Sequence, residues 1–133
     1  MTKEQLRQYR YLKKEIMLLQ EEIERLRASL QAIPQPDGMP HSNYATDRTS
    51  DVVSKIVDLE ALLHRHLRTM IELRGEIESC IVALPSDQRL LMRWRYIEGH
   101  KWEAIALEMN YSYMQVCRIH GRILQKIAAE KML

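Results

Sequence analysis

Arg118, Arg122 and Lys126 stand four residues apart in a stretch, Tyr111 to Ala129, that also holds His120 and contains no Asp or Glu. On a helix this spacing sets the three cations along one side. With no carboxylate among them they project a positive potential suited to a polyanion. Tyr113, Met114, Gln115, Cys117 and Arg118 fall in the first turns, where a helix lying in a major groove meets base edges. There an amide such as Gln115 matches adenine and the guanidinium fork of Arg118 matches guanine. Arg122 and Lys126, further along, are placed for phosphates. Lys101, Arg93 and Arg95 lie upstream as additional phosphate candidates, although Arg89, Arg93 and Arg95 can equally pair with Asp87 and Glu98. The competing reading of a basic helix end is that it only complements the negative end of the helix dipole.

No other chemistry is assembled. There is no glycine-rich phosphate loop, and no Ser or Cys stands beside a candidate base with an orienting acid, so no catalytic residue is expected. His64 and His66 are two apart and project from different helix faces, which excludes a shared metal. Cys80 and Cys117 are the two cysteines, without a C-x-x-C pair, and read as core filling. Neither metal nor cofactor is expected. Trp94 and Trp102, at helical spacing among Leu91, Ile97 and Ile105, read as core residues rather than base-stacking platforms.

The elements that must position the basic stretch are all helical. Of 133 residues 46% are hydrophobic, Phe is absent, Gly and Pro number four each, and Met reaches eight, a composition that favours helix over sheet. An all-α chain is expected. No apolar run approaches the roughly 20 residues of a membrane span and the first residues are polar, so a cytoplasmic location without a membrane partner is expected. The net charge of +2 hides an asymmetry: twelve Lys and Arg stand against thirteen Asp and Glu up to Leu84, and eight against five beyond it.

From Tyr9 the apolar positions Leu12, Ile16, Leu19, Ile23, Leu26, Leu30 and Ile33 alternate 3 and 4, a heptad seam. Thr2 with Gln5 can close its N-terminus as a capping box and Pro34 ends it, giving a helix over 1–33. Residues 34–49, with three prolines, Gly38 and little to bury, read as a mobile loop. A second seam over 50–84 runs through Val52, Ile56, Leu59, Leu63, His66, Met70, Leu73, Ile77, Cys80 and Leu84, with His66 as a polar register-setting residue. Two equal seams fold back as a long antiparallel hairpin or join a second copy. The broad apolar stripe of the second helix favours a homodimer, with Ile16, Leu19, Ile23, Leu26, Ile56, Leu59, Leu63 and Met70 as contact residues.

Residues 85–133 change pattern. Ser86 or Asp87 caps a short helix that Gly99 ends; Lys101 to Met109 forms a second; Asn110 takes the left-handed exit; Ser112 and Gln115 cap the basic helix. Two short helices, a tight turn and a longer helix make a C-terminal helix-turn-helix domain. Gly121 inside the last helix leaves room for a close approach.

Leu84-Pro85, Arg89, Leu91-Met92, Trp94-Arg95-Tyr96, Glu98-Gly99, Trp102-Glu103, Ile105-Ala106, Met109, Ser112, Val116 and Leu124 follow one another in an order and spacing that resembles region 4 of bacterial sigma factors. The resemblance covers roughly a third of the chain. With the heptad helices and Pro-rich loop in front, the whole looks like small phage and prophage regulators carrying a region 4-like domain. It implies binding of double-stranded promoter DNA inside a bacterial host, with contact to host RNA polymerase. The departures are specific: Asn110 stands where region 4 usually has Gly, and Tyr113, Met114 and Cys117 stand where readers of the common promoter element carry Arg and Glu. Heptad helices stand where such factors carry the module that melts the promoter, so a complete initiation factor is not expected. Two further readings stay open: a polymerase-binding module with nonspecific DNA affinity, and a small terminase-like DNA-packaging subunit, which would assemble as a ring.

Overall fold

The computed structural model describes residues 2–32 and 44–131. Among the described residues every regular element is a helix: α1 (Lys3–Ala32), α2 (Tyr44–Val82), α3 (Ser86–Met92) running into a π-helical turn (Arg93–Ile97), α4 (Trp102–Met109) and α5 (Tyr113–Lys131). The capping box of α1 forms as the sequence predicts. The Gln5 amide donates to Thr2 Oγ1 (3.2 Å) and the Thr2 amide donates to Gln5 Oε1 (2.9 Å), satisfying donors that the first helical turn leaves open. Pro34 and residues 34–43 of the expected loop lie outside the described residues. The rest of that loop is a correction, because α2 begins at Tyr44 rather than Ser50. Tyr44 to Thr49 holds no Pro or Gly to interrupt the ladder, and Asp47 sits in the first turn against the positive end of the helix dipole. The far end falls at Val82, two residues short of Leu84. There Leu84 N–H turns back to the Ile81 carbonyl and the following Pro85 has no N–H to continue.

The chain forms two compact units, each with its own packing. The unit Lys13–Thr69 buries Ile16, Ile23 and Ile56 and half-buries Leu19, Leu26, Leu59 and Leu63. Polar contacts join its two helices: His66 Nε2 lies 3.4 Å from a Glu15 carboxylate oxygen, and Arg27 forms an ion pair with Glu60. His66 is half-buried, as a polar residue within a seam should be.

The second unit comprises Met1–Leu12 and Met70–Leu133. Leu6, Tyr9 and Leu12 of α1, Leu73, Ile77 and Ile81 of α2, Leu91 and Met92 of α3, Ile105 of α4 and Val116, Ile123 and Ile127 of α5 form its core. Neither Ser86 nor Asp87 caps α3. Pro85 occupies the cap position with φ −58°, its carbonyl accepts from Arg89 N–H, and Ser86 Oγ accepts from the Arg89 side chain instead. Proline's fixed φ already directs the chain into the helix, which leaves the two polar side chains exposed. At the end of α3 the ladder widens to π geometry, with Glu98 N–H reaching the Arg93 carbonyl. Gly99, at φ +77°, then reverses the chain.

Lys101 is the cap residue of α4, one position outside the helix expected from 101. α4 ends at Asn110 in the left-handed region (φ 56°, ψ 37°), where Tyr111 N–H returns to the Ala106 carbonyl. The second capping box opens α5: Ser112 N–H donates to Gln115 Oε1 (2.9 Å) and Gln115 N–H to Ser112 Oγ (3.1 Å). Because a β-branched residue in left-handed backbone costs about 1–2 kcal/mol, Asn110→Val should lower the unfolding free energy by that amount while Asn110→Gly leaves it within about 0.5. Urea denaturation followed by circular dichroism checks both.

Candidate nucleic-acid interface

α5 divides cleanly. Val116, Ile123 and Ile127 are buried and Ile119, His120 and Leu124 half-buried, so one side is packed. The opposite side carries Met114, Arg118, Gly121, Arg122 and Gln125, all exposed, with Lys126 beside them. Arg118, Arg122 and Lys126 make no ion pair with a described residue. Their charge is directed outward.

What fixes this face is a cluster of side chains from three elements. The Arg95 guanidinium, from the π turn, lies 4.3 Å from the ring centre of Trp102 on α4. Trp102 packs against His120 of α5 with centroids 4.5 Å apart, and His120 Nε2 lies 2.6 Å from the Tyr96 hydroxyl of the π turn. Burial first, and then the cations Arg95 and Lys3, pull the His120 pKa down to about 4. The imidazole is therefore neutral at pH 7, which removes His120 from the positive face the sequence assigned it to. The two tryptophans are half-buried rather than core residues, and Trp102 is an element of this cluster.

Two of the expected phosphate contacts are engaged elsewhere. Arg93 presents its fork to Glu78 of α2 at 3.0 and 2.8 Å, a bidentate pair and not the pairing with Glu98 or Asp87 that helical spacing suggested. Arg95 stacks on Trp102 and donates to the His100 carbonyl (3.2 Å); burial, followed by the nearby Arg10, holds its pKa below the ordinary arginine value. Lys101, Arg122 and Lys126 remain exposed.

The base-reading candidates also separate. Met114 and Arg118 stand fully outward. Gln115 is exposed, yet its amide oxygen holds the Ser112 N–H of the cap. Tyr113 is exposed, and Cys117, one turn on, is half-buried. Gly121 has open space around it, so no described residue uses the approach it allows. Sequence reasoning missed Leu107, which is 79% exposed at the end of α4, and Tyr111 in the turn. Met114 is a third large apolar side chain exposed in this region of the sequence. Helical periodicity had no way to expose Leu107, since the short α4 has apolar residues on both sides. Gln125 was likewise missed, although its place opposite Val116 on the α5 wheel marks it.

Comparison of the chain with protein-family models, with curated proteins and with solved structures finds no match. The site's own geometry must therefore carry the functional reading.

His120 predicts a pH dependence. Its folded pKa lies below the value near 6.5 of an unfolded histidine, so its contribution to stability is complete above about pH 6.5 and is lost as pH falls toward 4. Allowing for the ring's partial exposure, the loss is roughly 2 kcal/mol. His120→Gln, which keeps a hydrogen-bonding group for Tyr96 and does not titrate, should be less stable at pH 7 and should lack this extra loss between pH 6.5 and 4.5 in parallel urea titrations.

Proposed function

We propose that this chain is a sequence-specific, double-stranded-DNA-binding transcription regulator, an antiparallel heptad hairpin followed by a helix-turn-helix, acting in the cytoplasm of a bacterial host. α5, from its cap at Ser112, enters the major groove. The observation that carries the reading is the exposed, acid-free side of α5, held in place by a neutral, half-buried histidine on its opposite side. Met114 and Arg118 face base edges, Arg118 with the fork that guanine O6 and N7 accept; Lys101, Arg122 and Lys126 face phosphates. The pairs Glu15–His66 and Arg27–Glu60 support the hairpin, because partner numbers rise along α1 as they fall along α2. Two copies held together by the long helices would set two α5 helices on two half-sites.

The runner-up is a module that docks on host RNA polymerase and touches DNA only nonspecifically. Exposed Leu107 and Leu90, both large and apolar, favour it. Selection of random duplex DNA by the purified protein separates the two. A groove reader enriches a defined motif with paired half-sites, and Arg118→Ala relaxes one position of it at a cost of about 1–3 kcal/mol. Arg122→Ala should weaken binding to all sequences and reduce the salt slope by about one. Arg93→Ala should lower stability and leave the motif unchanged. Absence of any enriched motif, with wild type and Arg118→Ala binding bulk DNA alike, would support the polymerase module instead.

A further inference from the structure

A second repeat runs along α2 beside its packed seam. Val53, Val57, Glu60, His64, Leu67 and Ile71 step 4, 3, 4, 3, 4 in the sequence, the spacing of a row that faces another helix. Within the unit Lys13–Thr69, Val53 and Val57 are 43% and 57% exposed, His64 is exposed, and Glu60 and Leu67 are half-buried. The unit's other seam is already used: Ile16, Ile23 and Ile56 are buried inside the single chain. Of the eight contact residues that the sequence suggested for a dimer, these three are buried and Leu19, Leu26, Leu59 and Leu63 half-buried within this unit, so a second copy needs a different row.

Reversed end for end, this row is complementary to itself: apolar positions fall on apolar positions and Glu60 falls on His64. Turned end for end about a point between Glu60 and His64, it sets Val57 against Leu67, Glu60 against His64, and Val53 against position 71. An unrelated helix would need its own matching sequence, whereas a second copy supplies the match by two-fold symmetry. We propose that two copies of the chain pair antiparallel along this row of α2, with Glu60 of each chain opposite His64 of the other. Glu60 already accepts from Arg27 on one carboxylate oxygen, and the second oxygen has lone pairs for the imidazole. Two helices alone bury little apolar surface, and pairing two such units gives a four-helix bundle with an interior. The inference rests on the reading that the long helices join two copies, and it is independent of whether α5 reads DNA.

The test uses the full chain without DNA. In a Cys80→Ser, Cys117→Ser background that retains its helical circular dichroism, Val57→Cys protein is mixed with Leu67→Cys protein and oxidised. The proposal expects a cross-linked species carrying one chain of each kind. It expects no cross-link from either protein alone, since like positions then lie about 15 Å apart along the helices. Sedimentation of the wild type should give a dimer, and Val57→Glu should raise its dissociation constant at least tenfold with helix content unchanged. A monomeric wild type, a Val57→Cys protein that cross-links to itself, or a dimer indifferent to both substitutions would each overturn it. Because no DNA is present, these failures are distinct from failure of the motif selection.

Discussion

The candidate interface depends on the burial of one uncharged imidazole. His120 sits on α5 between the Trp102 ring and the Tyr96 hydroxyl, with Arg95 stacked on the far partner. A protonated ring there would be partly desolvated and would face the cations Arg95 and Lys3, so the site holds it neutral. Aromatic faces and a cation of modest hydration give a contact that is both apolar and directional. The N-terminus of α5 is set by the Ser112–Gln115 cap and its middle by this cluster. Its rotation about its own axis, and hence which residues face outward, follows from those constraints together with buried Val116, Ile123 and Ile127.

The same packing explains how charge is distributed. Cations close to the cluster are engaged: Arg93 with Glu78, Arg95 with Trp102 and the His100 carbonyl. Cations on the far side of α5 have no ion-pair partner among the described residues and meet solvent. A modest net charge thus becomes a directional field, because it is the unpaired cations and not the total that set the local potential. DNA recognition by such a face, as proposed, would combine a salt-sensitive phosphate component with the short-range fit of Met114 and Arg118.

Features with a local physical cause were legible in the sequence. Both capping boxes, the left-handed Asn110 and the Gly99 reversal each depend on a few adjacent residues, and each forms where its residues stand. The helices themselves were legible from their 3–4 alternation. What was hidden depends on distant partners. Glu78 lies 15 residues from Arg93 and on another helix, so helical spacing pointed to the wrong acids. The neutrality of His120 comes from surroundings contributed by three elements, and in the sequence it is only a histidine among arginines. The π turn is similarly silent in the sequence, and the early start of α2 was masked by the prolines before it.

Backbone amide NMR of the isotope-labelled chain, titrated with a duplex carrying its selected motif, tests the central claim most directly. The account predicts shift changes concentrated at Met114, Arg118, Gly121, Arg122 and Gln125, with Lys101 and the Asn110 turn at the margin and the buried side of α5 little affected. Changes centred on another surface, or none along the outward side of α5 at saturating duplex, would contradict it.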